Sequence, residues 1–417
     1  MDEWCEVVLG DVLAIRHGFA FEGKHFTQGG STCLLTPGNF YEGGGFRDRG
    51  ASQKSYEGPV PSGYELRPDS VVIAMTEQSQ GLLGSSGRIP ADGKTWLHNQ
   101  RIGLVCSTDR ADDDFIYYLM NASIVRNQIS ATATGTKVRH TAPGRIEAVK
   151  VRLPGPGIQR RIAAVLSAFD ELIEINERRI ELLEDLARSL YREWFVHFRF
   201  PGHEDVEMVD SELGPIPEGW EVRTFAEAAD FINGYAFKPA HHGAIGRPII
   251  KIKELKQGVN KNTPRYAGLD LDQRFLVEPG DLLFSWSADL DAYLWSGEPG
   301  FLNQHLFAVS PKMGMTRSFL FHALREAMGS FKSRAQGTTM RHIKRSALRE
   351  VSFAAPGERL RSDFTELVEP THAQAINLRH LNEQLAATRD LLLPRLVTGR
   401  LDISEVDLGV LTPTEVE

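Results

Sequence analysis

Six residues occur twice in this chain with little change: GTKVRH at 135–140 and GTTMRH at 337–342. Their neighbours recur in the same order. HGFAF at 17–21 answers NGYAF at 233–237, RPDSVVIAM at 67–75 answers EPGDLLFSW at 278–286, and LHNQRIGLV at 97–105 answers LNQHLFAV at 302–309. Trp4 corresponds in this way to Trp220, and LPG at 153–155 to APG at 355–357. The separation shrinks from 216 at the first pair to 202 at the last, as it does when two copies lose different lengths of loop. The chain is a tandem duplication, so whatever it folds into, it folds into twice.

Each copy has two parts. The first, 1–157 and again 215–357, is rich in Gly and Pro, with short apolar runs at Val71–Met75, Ile102–Cys106, Leu282–Trp286 and Leu306–Val309. These read as buried strands between turns. Helices are expected near Phe115–Ile129 and Thr316–Ala335. The second part is a long helix, expected over 158–200 and 358–402. In the first copy Ile162, Leu166, Phe169, Ile173, Asn176, Ile180, Leu183, Ala187, Leu190 and Trp194 alternate steps of four and three, which is a heptad seam with a polar Asn176 near its middle to set register. In the second copy Leu378, Leu381, Leu385 and Leu392 keep the pattern, Asn377 stands opposite Asn176, and Pro370 and Pro394 are expected to limit the helix. Pro156-Gly157 reads as the stop of the preceding domain. An acidic linker, 201–214, joins the copies, and 403–417 reads as a loosely ordered tail. The predicted fold is α/β (mixed α+β): two tandem globules, each followed by a helix, the helices paired as an antiparallel coiled coil with pseudo-twofold symmetry. A helix over 162–194 is ~48 Å long, which predicts a rod with a globule near each end.

Bulk properties agree with a globular, multidomain chain. At 417 residues it exceeds one ordinary core, since domains average ~150 residues. No apolar run approaches the ~20 residues of a membrane span. The acidic start MDEWCEVVLGD lacks the basic and apolar segments of a signal peptide. Three scattered cysteines, Cys5, Cys33 and Cys106, predict neither a disulfide framework nor a zinc motif, and fit a reducing cytoplasm. A net charge of −8 argues against a generally basic surface, so any affinity for nucleic acid must come from local clusters.

The search for catalysis is negative. GRIPADGKT at 87–95 resembles a phosphate loop, but its glycines are one residue too far apart and no helix signal follows. His241-His242 has no third ligand nearby, and Glu254-Leu255-Lys256 lacks upstream acids, so both read as surface features. There is neither an Asn/Asp-Pro-Pro-aromatic tetrapeptide of the common amino-methyltransferases nor a Gly-x-Gly-x-x-Gly loop. The positive signal is basic. Lys332, Arg334, Arg341, Lys344, Arg345 and Arg349 follow one another without an acid until Glu350, and Lys137, Arg139, Arg145, Lys150 and Arg152 face only Glu147. A Gly-Thr turn offering backbone N–H groups and a hydroxyl, followed by Arg-His, suits contact with DNA phosphates. The predicted DNA-binding residues are Thr136, Lys137, Arg139, His140 and Arg145 in the first copy. In the second they are Arg334, Thr338, Thr339, Arg341, His342, Lys344 and Arg345. Lys251 and Lys253, with Asn39 and Lys256, are expected in reading loops. The Gly-flanked aromatics Phe19, Phe21, Tyr235 and Phe237 read as core. Asn99-Gln100 and Asn303-Gln304 are of the type that contacts adenine in bidentate fashion, but they precede apolar strands and read as turn caps.

The order globule–helix–globule–helix, the segment IQRRIAAVLSAFDELIEINERRIELLEDLARSLYREWFVHF and the terminal LLLPRLVTGRLDIS resemble the specificity subunit of type I restriction-modification enzymes. The resemblance spans nearly the whole chain and is strongest at the first helix. It implies that each globule is a target-recognition domain for one half of a bipartite double-stranded DNA target. It also implies that the helices set the spacing and dock two methyltransferase subunits, and that motor-nuclease subunits join for restriction. The S-adenosylmethionine site would then lie in the methyltransferase, with no cofactor, metal or catalytic residue in this chain. The second helix departs from the pattern at Glu358-Arg359-Leu360 and Pro370. Rival readings are a scaffold built on the rod and a targeting module for another phage-defence effector.

Overall fold

The computed structural model describes residues 4–77, 81–268, 271–335 and 342–404. The chain forms two compact units. One contains residues up to Leu172 together with those from Leu385 onward, and the other holds Ile173–Gln384.

In the first unit a four-stranded antiparallel sheet runs in the order Leu13–His17, Ile102–Ser107, Val71–Ala74, Ser86–Arg88. A second, five-stranded sheet includes a parallel pair, Thr32–Leu34 beside Thr95–Leu97. Helices Asp113–Asn121 and Ser123–Ala131 cover the first sheet, burying Phe115, Leu119, Val125 and Ile129 against Ile15, Ile73 and Val105. Asp112 starts this helical stretch by accepting the N–H of Phe115, the capping that a short polar acceptor supplies. Cys5–Val8 pairs antiparallel with Lys150–Leu153, drawing the ends of the globule together just ahead of the long helix.

The second unit repeats this plan. Its antiparallel sheet runs Ala229–Asn233, Leu306–Pro311, Leu282–Ser285, Asp291–Leu294. Its second sheet holds the parallel pair Arg247–Ile250 and Gly300–Leu302, its covering helices are Arg317–Glu326 and Met328–Ser333, and Glu221–Thr224 pairs with Ser352–Ala355 to close the globule. The linker forms a small hairpin, Met208–Val209 against Ile216–Pro217. Of the expected tail 403–417, residues from 405 lie outside the described residues.

The long helices run Pro156–Tyr191 and Glu358–Leu396. Pro156 and Gly157 therefore begin the first helix instead of stopping the domain before it. Proline lacks an N–H, but the first turn of a helix leaves that group unbonded anyway. Along the first helix, Ile162, Leu166, Asn176, Ile180 and Ala187 are buried and Phe169, Ile173, Leu183 and Leu190 half-buried.

The second helix corrects the expected pattern in two ways. It continues through Pro370 and Pro394, both exposed. Its inward line has Phe364, Val368, Ala375, Leu378 and Leu396 buried and Asn382, Leu385, Arg389 and Leu392 half-buried, again in steps that sum to heptads. Leu381 and Asn377, expected in the seam, are exposed on another face. The polar partner of Asn176 is Asn382: Asn176 Nδ2 donates to Asn382 Oδ1 at 2.8 Å, and Asn382 Nδ2 donates to the Ile173 carbonyl at 3.2 Å. Leu378, Leu385 and Leu392 lie on the inward line as expected, and Leu381 was wrongly joined to them because the inward position beside it carries the polar Asn382. Within the second unit the segments are antiparallel, with Asn176 facing Asn382 and Ile180 packing on Ala375 and Leu378. Within the first unit Asp170 meets Arg389, and Leu392 packs on the cluster of Ile162 and Leu166.

Candidate nucleic-acid interface

The first hexamer is a hairpin loop. Thr134 and His140 exchange backbone hydrogen bonds of 3.0 and 2.8 Å across it. Gly135 adopts φ +102°, and a Cβ there would lie 2.1 Å from the Val138 carbonyl oxygen, so only glycine fits. Thr136 and Lys137 are exposed at the tip, and His140 is exposed with Nδ1 3.1 Å from Thr76 Oγ1. Arg139 turns inward instead of toward a ligand. Its Nη1 donates to Glu77 Oε1 at 2.8 Å and its Nη2 to the Ser130 carbonyl at 2.5 Å. Glu77, 3% exposed, also accepts the backbone N–H groups of Gly81, Leu82 and Leu83. Arg139 thus neutralises a buried carboxylate that ties a loop down, a structural role in place of the expected phosphate contact. Arg145 is similarly engaged, donating to the Thr132 carbonyl at 2.9 Å.

In the second copy Thr338, Thr339 and Arg341 lie outside the described residues. His342 is exposed and bridges to Ser287 as His140 pairs with Thr76. Lys344 is exposed. Arg334 pairs with Glu350 at 3.7 Å, and Arg345 donates to the Phe231 carbonyl at 2.9 Å while lying over the Phe307 ring. Lys251 caps helix Ile252–Gln257, its N–H donating to buried Glu254, and Lys253 is exposed on that helix. Asn39, expected as a reader, is fully buried at the corresponding turn, where its Oδ1 accepts the Thr36 N–H and its Nδ2 donates to Gln53. Lys256 is paired with Asp289.

The motifs shared by the two copies assemble into one locked turn. In the first unit Phe19 N–H donates to the His98 carbonyl, Gln100 N–H to the Phe19 carbonyl, and Ile102 N–H to the Asn99 carbonyl. Buried Asn99 accepts the Arg101 N–H on its side chain at 3.0 Å. A Cβ at Gly18 would stand 2.1 Å from the Asn99 carbonyl oxygen, which is why HGF needs its glycine. The second unit repeats the arrangement with Tyr235, Gln304, Leu306 and Asn303, and a Cβ at Gly234 would lie 2.3 Å from the Asn303 carbonyl oxygen. The residues presented are Gln100-Arg101 in one copy and Gln304-His305 in the other.

Gln100 and Arg101 open onto a concave cleft of about 590 Å³ in the first unit, lined also by Arg47, Arg49 and Lys54. Among the described residues no carboxylate lines it, and none of the four cations forms an ion pair. Arg47 and Lys54 are exposed, with the Arg47 guanidinium over the Tyr41 ring and the Lys54 ammonium over the Phe26 ring. The Arg49 guanidinium rests on Gly38, where a Cβ would come within 3.2 Å of Nη1. Sequence reasoning passed over Arg47, Arg49 and Arg101 because Asp48 and distance along the chain hide them. A signal was present: RDR and HNQR both flank Gly- or Asn-rich turns.

Other candidate chemistry is spent locally. Lys94 of the 87–95 loop pairs with Asp92 and Asp48, and Ser86–Arg88 and Thr95–Leu97 make that loop a strand–turn–strand. Among the described residues no helix is long and apolar enough to cross a membrane.

A family model described as the type I restriction modification DNA specificity domain matches residues 1–185 and again 217–357. The type I restriction enzyme MjaIX specificity subunit of Methanocaldococcus jannaschii is 24% identical over 322 residues, covering 74% of this chain and 73% of that protein. The EcoBI specificity subunit of Escherichia coli is 25% identical over 217 residues, covering 50% of this chain and 45% of that protein. Among solved structures, the type I restriction-modification S subunit from M. genitalium is similar in fold, with a TM-score of 0.55 at 15% identity over 96% of this chain and 97% of that one. The duplicated globule, the locked turn in each copy and the two matches to one family model meet in a single assignment: this chain belongs to the type I restriction-modification DNA specificity family.

Proposed function

We propose that this chain reads a bipartite double-stranded DNA target, one half-site for each unit, and holds two methyltransferase subunits along its helices. The observation that carries this reading is the same locked turn built twice on the same fold with different residues presented, Gln100-Arg101 and Gln304-His305. One scaffold reading two unrelated half-sites needs that combination of constant frame and variable tip. The unpaired cations of the first cleft supply the phosphate attraction that a chain of net charge −8 lacks overall.

Methyltransferase docking rests on the helices. In the second unit Glu184 and Arg379, each one residue after a seam position, meet at 2.5 Å on one flank, as antiparallel pairing requires. Residues one before seam positions then share the opposite flank. There the chain places Ile175, Leu182 and Leu186 on one helix and Leu367 and Leu381 on the other, 44–61% exposed. An apolar strip along a helix pair suits further amphipathic helices. The methyl donor, S-adenosylmethionine, and the adenine chemistry belong to the methyltransferase, and motor-nuclease subunits join the same complex for restriction.

Adenine methylation mapped across the genome of cells carrying this chain with its methyltransferase, against cells lacking only this chain, tests the reading. The expected result is a split, asymmetric methylated motif that disappears with the chain. Unchanged methylation with an active methyltransferase present would favour a scaffold or another effector.

A further inference from the structure

Within the cleft, the four cations differ in how they are held. Arg47, Arg49 and Lys54 come from one loop and the strand that follows it, and their side chains lie along aromatic rings or on Gly38. Arg101 comes from the locked turn. Its backbone N–H is held by Asn99 Oδ1, its carbonyl accepts the Met75 N–H at 3.0 Å, and its neighbours on both sides are bonded into the sheet frame. Its side chain is nevertheless exposed and, among the described residues, makes no ion pair. A fixed backbone sets the point from which an unspent, planar, five-donor side chain projects, and base reading needs that origin held in register. Phosphate attraction makes no such demand and tolerates mobile side chains on a rim.

The second copy offers an internal comparison. At the equivalent position His305 has Nδ1 3.2 Å from Ser287 Oγ and its ring tilted against Trp286, so this residue is partly engaged by its own unit. Gln is retained beside it in both copies, while the following residue changes from Arg to His. The frame has been kept and the second presented residue varied.

We propose that Arg101 is a specificity-determining residue: its guanidinium reads a guanine through the O6 and N7 edge in the major groove of one half-site, with Arg47, Arg49 and Lys54 gripping the adjoining phosphates. This inference rests on the bipartite DNA reading above and assigns a residue to it. The residue after the buried asparagine's neighbour, Arg101 in one unit and His305 in the other, is then the position at which the two half-sites are told apart.

The test is methylation mapping with the intact methyltransferase complex carrying Arg101→Gln, alongside Lys54→Gln. For Arg101→Gln the expected result is a motif in which one guanine of one half-site becomes degenerate, with discrimination there falling roughly 10- to 100-fold. The other half-site and the spacer stay unchanged. For Lys54→Gln, purified complex binds all sequences more weakly, both half-sites stay strict, and the salt slope falls by about one. A split motif that keeps every base strict with Arg101→Gln overturns the proposal while leaving the bipartite reading intact. Uniform loss of methylation with unrelaxed half-sites also overturns it, moving Arg101 to the phosphate grip. Absence of any split motif with the wild-type chain removes the underlying reading and the proposal with it.

Discussion

Tyr118 and His322 occupy the same place in the two copies, as do Asp170 and His372, and the chemistry between them has diverged. In the first unit Tyr118 donates to Asp170 at 2.6 Å and Arg389 pairs with the same carboxylate. Burial, with the Asp170 charge beside it, holds the phenol well above its ordinary range. In the second unit His322 Nε2 and His372 Nε2 stand 3.1 Å apart, with Tyr191 stacked on His322. Ser318, which donates to Glu369 at 2.6 Å, lies 3.3 Å from His372 Nδ1. Burial lowers both imidazoles, helped at His322 by His372, Arg325 and Arg188, and opposed at His372 by Glu369 and Glu184. Because the folded values lie below the unfolded one of about 6.5, the unfolded chain binds protons that the native pair refuses as pH falls through that value. Stability is therefore full above it and declines below it. Denaturant unfolding of the full chain at pH 7.5 and 5.5 should show this loss, and His372→Gln should reduce it. An equally steep loss in that variant would place the sensitivity elsewhere.

At the level of the elements, each long helix carries two heptad lines and only one is buried. Inward lines are mixed, with Asn176, Asn382 and Arg389 among aliphatics, while the line one residue earlier leaves Leu182, Leu186 and Leu381 exposed. A leucine at 56–61% exposure contributes little to folding, so Leu182→Glu with Leu186→Glu should shift the thermal midpoint of the chain by no more than a degree or two. The same pair should weaken methyltransferase association by at least tenfold, since truncating apolar anchors at an interface typically costs 1 kcal/mol or more each. Co-purification and titration calorimetry measure it directly. Undiminished affinity with a normal midpoint would exclude this flank as the docking surface. The sequence pattern reads as one seam per helix, with Leu381 from the exposed line joined to the inward one. Which line faced the partner helix in the second copy was decided by Asn382 finding Asn176.

For the molecule as a whole, on the proposed reading, helix length would act as a ruler for the spacing of the half-sites. Inserting one in-register heptad into each long helix adds ~10 Å of rise, or about three base pairs at 3.4 Å each. The expected outcome is a methylated motif whose spacer grows by about that amount while both half-sites stay the same. Altered half-sites with an unchanged spacer would refute a ruler. The charge distribution belongs to this scale too: a chain that is net −8 places unpaired arginines in one cleft, so binding to DNA should be steeply salt-dependent despite the acidic total.

Duplication, strand runs and the first helical seam were legible in the sequence by itself, because order, periodicity and turn chemistry are local properties of a chain. The Gly-aromatic and Asn-Gln motifs could likewise be seen to recur, but their union into one turn could not, since Gly18 and Asn99 meet only through the sheet. The tertiary structure alone decided which charges remain available. Arg139 stands in the most basic-looking motif yet is consumed by Glu77, 62 residues away in sequence, whereas Arg101 and Arg49 stand in unremarkable loops and stay unpaired. A charge is free or spent according to what lies within a few ångströms of it, and that neighbourhood is assembled from distant segments only when the chain folds.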